Sequence, residues 1–308
     1  MYKELIFMEI RTLRYFLAVA REENMTRAAQ ILHVTQPTLS KQLKALEEEL
    51  GKKLFTRHSF NIRLTDEGTL LRDRAEDLVS MADKIEQEFV SLDDITGGDL
   101  YLGLAESFQI KYLAKAIKTF KKSYPSLHYH ITSGDTKQIA DKLDKGLLDF
   151  LVLAELPDTG KYEYLTFPEN DVWGLIIPAS DPLSEKENIK ISDLKGLPLF
   201  CSDQAWEGEI KKWAGNHFSD LILEGSFRLS YNGSVFAKEG LGYLLTFDHL
   251  IDTSKGSGVV FRPLSPRLET TLYLAWNRHQ TFTPIAGRFL QHIKSMFANT
   301  DQPHNLPS

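Results

Sequence analysis

The run His33-Val34-Thr35-Gln36-Pro37-Thr38-Leu39-Ser40-Lys41-Gln42-Leu43 decides the fold of the first part of the chain. Thr35 is placed to cap a helix whose first turn contains Pro37, where a missing N–H costs little. Gly51 follows as a helix C-cap. Between them leucines recur at steps of four, three and four residues, which predicts one buried stripe: Leu39, Leu43, Leu46 and Leu50. Residues 25–65 are therefore predicted to contain a helix, a sharp turn and a second helix.

The face of this second helix opposite the leucines is polar and mostly cationic. A glutamine can recognise an adenine edge in the major groove, and serine and lysine can contact phosphates or bases. From these residues alone, an ordinary solvated helix face explains the pattern equally well. We predict that the face contacts DNA through Thr35, Gln36, Pro37, Ser40, Lys41 and Lys44.

Composition limits the classes of protein to which the chain can belong. It has 308 residues, 42% of them hydrophobic and 25% charged, which is typical of a soluble globular protein of two or three domains. No apolar run approaches the ~20 residues of a membrane span. Residues 1–7 are too short and too acidic for a signal peptide, and Met8 is an alternative start. The single cysteine, Cys201, excludes an intrachain disulfide and favours a cytoplasmic location.

Charge is distributed unevenly along the chain. Residues 1–65 contain 11 Lys/Arg and 7 Asp/Glu, a net charge of +4, and the remainder contains 25 and 35, a net charge of −10. A basic amino-terminal module on an acidic body concentrates the affinity for a polyanion in that module.

Residues 52–55 and 62–65 are predicted to form two short strands around a turn at His58-Ser59. This arrangement is a wing, and Arg57 and Arg63 are its candidate phosphate contacts.

Thr65 is then placed to cap a long helix that begins with acidic residues. Apolar residues along it alternate at steps of four and three, which predicts a coiled-coil seam and, most simply, a homodimer. A helix packed on its own domain is the alternative. The predicted dimerisation residues are Leu71, Leu78, Ile85 and Phe89.

After Asp99 strands and helices alternate, which predicts a parallel sheet with helices on its faces. The tail after Ala298 is expected to be disordered. The predicted strands are 100–105, 127–131, 148–153, 172–177, 197–201, 224–229, 243–246 and 271–276.

Six ordered motifs in the first 68 residues resemble the LysR-type transcriptional regulators of bacteria. The body resembles that family's effector domain at Tyr124-Pro125, Gly146-Leu147-Leu148-Asp149 and Gly240-Leu241-Gly242, so the resemblance covers residues 8–297. The six motifs are Phe16-Leu17-Ala18-Val19-Ala20, Thr26-Arg27-Ala28-Ala29, Thr35-Gln36-Pro37-Thr38-Leu39-Ser40-Lys41-Gln42, Leu46-Glu47-Glu48-Glu49-Leu50-Gly51, Leu54-Phe55-Thr56-Arg57 and Leu64-Thr65-Asp66-Glu67-Gly68.

The resemblance implies an α/β protein with three parts. These are a winged helix-turn-helix DNA-binding domain (residues 8–65), a coiled-coil linker helix for dimerisation (66–95), and an effector-binding domain (99–298) like a periplasmic binding protein. Its subdomain I would comprise about 99–168 and 270–298, and its subdomain II about 169–269.

It also implies a sequence-specific regulator that assembles as a homodimer or homotetramer on promoter or operator DNA. A small-molecule effector bound between the subdomains would control it, and RNA polymerase would be a partner. Two positions depart from the family pattern. Thr35 stands where serine is more usual, and Phe60 occupies a wing position that is often basic.

Effector contacts are expected at the carboxyl ends of the strands in such a domain. Ser107 and Thr136 precede helices, whose N–H groups could bind a carboxylate. Glu106 and Asp135 in the same loops instead favour an amino group or hydroxyls, and each single residue could equally be a helix cap. The predicted effector contacts are Ser107, Ser133, Thr136, Cys201, Ser202 and Thr246.

Two other classes of function compete with a regulator. An enzyme is disfavoured, because we find no catalytic residues, cofactor motif or metal-ligand spacing: His128 and His130 lack a third ligand, and Gly240-x-Gly242 lacks the rest of a dinucleotide fingerprint. A ligand-binding or scaffolding protein with a helix–turn–helix for protein contacts is the other, and salt-sensitive DNA binding would separate it from a regulator. The sequence leaves effector identity, target genes and activation or repression open.

Overall fold

The computed structural model describes residues 8–57, 62–91 and 96–300. They form two compact units that divide between Val90 and Ser91. The expectations for residues 1–7, for the turn at His58-Ser59 and for Phe60 lie outside the described residues. So does the tail expected after Ala298, except that the last helix continues to Thr300. The domain and subdomain boundaries inferred from the sequence stay predictions.

The first unit is built on three short helices. Asn24 caps the second helix by accepting a hydrogen bond from the Arg27 N–H at 3.0 Å, and Thr35 caps the third by accepting one from the Thr38 N–H. Gly51 ends the third helix at a φ of 64°, which favours glycine. The helices are α1 (Ile10–Glu22), α2 (Met25–Ile31) and α3 (Gln36–Leu50), and the buried stripe of α3 is Leu39, Leu43 and Leu46.

The two wing strands follow, and they are β1 (Phe55–Arg57) and β2 (Ile62–Leu64), paired antiparallel. The prediction that the first strand begins at residue 52 was wrong, because Glu47 holds the preceding backbone against the end of α3. Its carboxylate accepts hydrogen bonds from the Leu54 N–H at 2.9 Å and from the Lys53 ammonium at 2.7 Å. Burial alone would raise the pKa of Glu47, but these hydrogen bonds outweigh it and lower the pKa.

The long helix α4 spans Asp66–Ser91. Thr65 caps it as predicted, because its hydroxyl accepts a hydrogen bond from the Gly68 N–H at 2.9 Å. Ala75 is fully buried in the core of the first unit, and Leu71 packs against the same core. Leu71 is only partly buried by these contacts, so its role in dimerisation stays a prediction. Leu78, Ile85 and Phe89 are exposed, and their role in dimerisation stays a prediction.

The second unit contains two sheets. The first has the order β4-β3-β5-β14-β6, and its core includes Phe150, Trp276 and Phe289. Its strands are β3 (Gly97–Leu104), β4 (Ser126–Ser133), β5 (Phe150–Leu153), β6 (Tyr162–Thr166) and β14 (Tyr273–Asn277). Its helices are α5 (Ile110–Phe120), α6 (Thr136–Asp144) and α11 (Pro284–Thr300).

The second sheet has the order β10-β9-β11-β7-β12-β8, and β13 pairs with β7 beside it. Its strands are β7 (Asp171–Pro178), β8 (Ile189–Lys190), β9 (Pro198–Cys201), β10 (Ile222–Ser226), β11 (Tyr243–Phe247), β12 (Val259–Ser265) and β13 (Glu269–Thr270). Its helices are α7 (Ile191–Leu194), α8 (Asp203–Ala205), α9 (Lys211–Ala214) and α10 (Ser230–Lys238), with a π-helical turn at Trp206–Ile210 and 3-10 turns at Pro182–Glu185 and Gly215–Asp220.

Both large sheets are mixed, so the prediction of a parallel sheet was wrong in part. Strands β3, β4 and β5 are parallel to one another, but β14 pairs antiparallel with β5 and with β6. In the second sheet β7 pairs antiparallel with β11 and β12. The cause is the path of the chain, which leaves the first sheet after Thr166, builds the second, and returns through β13 to add β14 in the opposite direction.

No helix in the described part of the chain combines the length and the apolar character that crossing a membrane requires.

Candidate DNA-binding surface and effector cleft

The polar face of α3 is open to solvent. Gln36, Pro37, Lys41 and Lys44 are exposed, and the Lys44 ammonium lies 3.4 Å from the Glu48 carboxylate. Ser40 is partly buried, and its polar groups already take part in an interaction within the protein. The N-terminal half of α3 thus presents an amide and cations outward, while its leucine stripe is held in the core.

Thr35 is exposed, but its hydroxyl is engaged within the helix start. Its Oγ1 accepts a hydrogen bond from the Thr38 N–H and lies 2.8 Å from the Thr38 hydroxyl. On the wing, Arg63 is exposed on β2, and the side chain of Arg57 lies outside the described part of the chain. The roles of all eight predicted residues in DNA contact stay predictions.

A cleft of about 540 Å³ opens between the two sheets of the second unit. Of the predicted effector contacts, Thr136, Ser202 and Thr246 line it. Thr246 is almost fully buried and donates a hydrogen bond to the Ser230 hydroxyl at 2.9 Å. The apolar part of the lining includes Trp173, Phe227, Leu245 and Phe247. This size is within the ~300–1,000 Å³ of small-molecule sites.

The other predicted contacts, Ser107, Ser133 and Cys201, are corrected, because they are not among the residues that line the cleft. The Cys201 side chain belongs to the buried core of the second sheet, because side chains alternate along a strand and it is the next residue, Ser202, that lines the cleft. Ser133 is exposed at the end of β4. Ser107 is buried beside Asp171.

Several contacts bridge the cleft from one sheet to the other. The Glu106 carboxylate accepts a hydrogen bond from the Ser230 N–H at 2.6 Å, at the start of α10. The Gln204 amide donates one to the Thr136 hydroxyl at 3.0 Å and another to the Glu155 carboxylate. The Arg228 guanidinium lies 3.8 Å from the Asp135 carboxylate. These contacts link the two sheets across the cleft through specific polar groups.

Asp171 lies at the junction of the two sheets, where β7 begins. It is almost fully buried and accepts a hydrogen bond from the Ser107 hydroxyl at 2.5 Å. Burial raises the pKa of Asp171 from 3.8 to about 6, although hydrogen bonds from Ser107 and Gln109 oppose the shift. At neutral pH the folded protein therefore contains an ionised carboxylate in an unfavourable environment.

We expect Asp171→Asn to remove a pH-dependent loss of stability. Because the pKa is raised in the folded state, stability from this group is present below pH 4 and is lost as pH rises to about 6. The difference in free energy of unfolding between wild type and variant should thus change by about 3 kcal/mol across that window. Urea unfolding of both proteins at several pH values measures it, and a difference that is constant with pH would contradict the assignment.

Sequence reasoning missed several residues at the cleft. Glu155 follows β5, and Arg228 and Ser230 follow β10, so the rule of strand carboxyl ends, applied to these strands as well, would have found them. Glu209 also lines the cleft from the π-helical turn, and no sequence motif marks it. Such turns occur often at functional sites.

Among the described residues, no group of three or more His, Cys, Asp or Glu side chains is arranged to hold a metal ion. His130 contacts the Asp99 carboxylate at 2.7 Å and stacks on Tyr101. These two contacts give His130 a structural role at the surface of the first sheet.

A winged helix–turn–helix joined to an α/β domain with a ligand-sized cleft defines a DNA-binding transcriptional regulator with an effector domain. The family model for the bacterial regulatory helix-turn-helix protein, lysR family, matches residues 10–69, and that for the LysR substrate binding domain matches residues 94–298. The chain belongs to the LysR family.

Relatives and solved structures agree with this membership. The chain is similar to the DNA-binding transcriptional dual regulator OxyR of Escherichia coli K12, with 31% identity over 305 residues and 96% of each chain covered. It is 27% identical to the Hca operon transcriptional activator HcaR of the same organism over 305 residues, which is 95% of this chain and 99% of HcaR. The crystal structure of CbnR, a LysR family transcriptional regulator, matches with a TM-score of 0.75 at 20% identity, covering 94% of this chain and 99% of CbnR.

Proposed function

We propose that α3 enters the major groove of promoter DNA and that the wing contacts the flanking phosphates. The observation that carries the proposal is the exposed face of α3, where Gln36 and Lys41 stand opposite a buried leucine stripe. Gln36 would recognise a base, and Lys41, Lys44, Arg57 and Arg63 would neutralise phosphates. We assign no catalytic role to the chain.

A small-molecule effector would occupy the cleft and control the regulator. Thr136, Ser202 and Thr246 line the space and offer hydroxyl groups to it. A ligand that competes with the links from Gln204 or Glu106 would change how the two sheets are held together. A ligand shifts such an equilibrium only as far as its affinity differs between the two arrangements.

The protein would act in the cytoplasm as a homodimer or homotetramer and would contact RNA polymerase at the promoter. Leu78, Ile85 and Phe89 are exposed on α4 and supply the apolar seam for the dimer. Two helix–turn–helix units in one assembly would bind two half-sites of a palindrome.

Relatives named as hydrogen peroxide-inducible genes activators suggest peroxide sensing as a second candidate function. Reaction of a thiol with peroxide requires an accessible thiolate. Cys201 has no exposed surface, and burial raises the pKa of its thiol far above the ordinary value. It is also the single cysteine of the sequence, so no intrachain disulfide can form. These properties disfavour Cys201 as a peroxide sensor, and we favour a reversibly bound effector.

We expect Gln36→Ala to weaken specific DNA binding by ~1–3 kcal/mol and to leave nonspecific binding nearly intact, because a base contact carries sequence information and a phosphate contact does not. A mobility-shift assay on the intergenic DNA beside the gene, with random competitor, measures both. Lys44→Ala is the matched control on the same helix face, and it should weaken binding to both DNAs alike.

The salt dependence of the same assay separates a regulator from a scaffold. A regulator releases counterions from several phosphates and loses affinity steeply as salt rises. No shift at low salt would make the helix–turn–helix a surface for protein contacts. Equal losses on operator and random DNA for Gln36→Ala would remove the base-reading role of that residue.

A further inference from the structure

The charge of the cleft limits the chemistry of its ligand. Acidic side chains outnumber basic ones in the lining, and the acidic side chains differ in the partners that they already have. The acidic residues are Glu106, Asp135, Glu155, Asp203 and Glu209, and the basic ones are Lys137 and Arg228.

Two of these carboxylates occupy positions where an anionic ligand would bind. Glu106 accepts the hydrogen bond from the Ser230 N–H at the start of α10, and Asp135 accepts one from the Gln138 N–H in the first turn of α6, at 2.9 Å. Helix N-termini favour anions. Because the chain's own carboxylates already satisfy these donors, an anionic ligand would have to displace them.

Two other carboxylates, Glu155 and Glu209, have no salt bridge among the described residues. Glu155 accepts a hydrogen bond from the neutral Gln204 amide, and Glu209 is half-buried. Burial raises the pKa of Glu209 and the nearby charge of Glu155 raises it further, while a backbone hydrogen bond and the nearby Lys212 ammonium oppose the shift in part. Glu155 is exposed and Glu209 is partly desolvated, and two carboxylates that repel one another at such a wall form a site whose remaining negative charge a cation would neutralise.

Both carboxylates also line a second cavity, of about 480 Å³, which shares Ala154 and Thr270 with the cleft. The two acids therefore stand where the cavities meet, and an apolar surface that includes Trp173 and Phe247 lies on the cleft side. The described residues offer no metal-binding cluster there. An organic molecule with a cationic end and an apolar body fits both features.

We propose that the effector is an organic cation, a small molecule with a protonated amine or guanidinium group that binds between Glu155 and Glu209. Its apolar body lies against Trp173 and Phe247, and its cation binds the two carboxylates and offsets their repulsion. This inference rests on the proposed role of the cleft as the effector site, and it specifies the class of effector.

Thermal unfolding of the full-length protein tests the proposal with compounds that share one apolar body and differ in the head group. Butylamine, butylguanidine, butanol and pentanoate form one such set, and 2-phenylethylamine, 2-phenylethylguanidine, 2-phenylethanol and 3-phenylpropanoate form a second. A ligand that binds only the folded state raises Tm, so each is added at about 10 mM and at constant ionic strength. We expect the amines or guanidines to raise Tm and the alcohols and carboxylates to leave it unchanged.

Variants assign the effect to the two carboxylates. Glu209→Gln should abolish the rise in Tm with amines while raising the Tm of the free protein, because an unfavourable buried charge is removed. Glu155→Gln is the second variant and should also abolish the rise. Glu207→Gln is the matched control, since Glu207 is exposed on the same helical turn and pairs with Lys211 at 2.7 Å; it should keep the full response.

Three results would overturn the proposal: carboxylates that stabilise as much as amines, no rise with any cationic compound of either set, or an unchanged amine effect in both Glu155→Gln and Glu209→Gln. Operator binding of the wild-type protein is measured in parallel. A specific, salt-sensitive shift combined with any of these results would reject the cationic effector and leave the regulator intact.

Discussion

The Ile85→Lys variant is expected to be a monomer and to bind operator DNA about 10²–10⁴-fold more weakly than the wild type, because the second half-site would no longer be bound in the same complex. Ile85 is 46% exposed on α4, with Leu78 and Phe89 exposed at seam positions one heptad before it and one turn after it. A row of apolar side chains exposed along a helix of a single subunit indicates that a second helix covers it in the assembled protein. Lysine at Ile85 would place a charge in the covered seam, where its desolvation is unfavourable.

Sedimentation over a range of protein concentrations, together with titration of operator DNA, measures both effects. Val90→Lys is the matched control. Val90 is 84% exposed and lies about 140° around the helix from Ile85, so a charge there should leave the seam unaltered. A dimer of unchanged strength in Ile85→Lys would show that the subunits associate through another surface.

Heptad spacing on α4 illustrates what a sequence pattern can and cannot predict. The pattern correctly marked one apolar side of the helix. It could not tell which partner covers each position, since an intramolecular and an intermolecular neighbour require the same side chains. The structure places Ala75 and Leu71 against the first unit's own core, and it leaves Ile85 and Phe89 to solvent.

Helices were predictable where a regular spacing of apolar residues ends at a recognisable capping residue. Thr35, Gly51 and Thr65 mark helix ends in the sequence and mark them in the structure, because caps depend on residues within a few positions. Strand β12 was missed, and it contains Pro263, which argues against a strand when neighbours are unknown. The antiparallel entry of β14 depends on where the chain returns, which local pattern does not contain.

The cleft shows the same limit at the level of single residues. The rule of strand carboxyl ends led to the correct loops, but Ser202 lines the cleft and its neighbour Cys201 faces the core. One residue of shift reverses the direction of a side chain on a strand. Glu106 lines the cleft, as its loop predicted, but its hydrogen bond from the Ser230 N–H, 124 residues further along the chain, could not be predicted locally. Pairings of this range come from tertiary structure.

Gly68→Ala is expected to destabilise the DNA-binding unit by about 3 kcal/mol, a large effect for the addition of one methyl group. A Cβ at Gly68 would lie 2.1 Å from the Leu54 carbonyl oxygen. That oxygen cannot move away freely, because it accepts a hydrogen bond from the Thr65 N–H at 3.0 Å. The wing and the start of α4 are joined at this point, so the glycine of the Leu64-Thr65-Asp66-Glu67-Gly68 motif has a steric explanation.

Gly51→Ala separates steric overlap from backbone strain. Gly51 has a φ of +64° and open space around its Cβ position, so alanine there should cost only about 1–2 kcal/mol, for the left-handed conformation. Urea unfolding of the full-length proteins, with operator binding followed through the same denaturant series, ranks the two variants. Gly68→Ala should lose operator binding at a lower urea concentration than Gly51→Ala, because the added methyl group separates the wing from the start of α4. If Gly51→Ala proved the less stable of the two, the close packing of Leu54 on α4 would not be what requires a glycine in this motif.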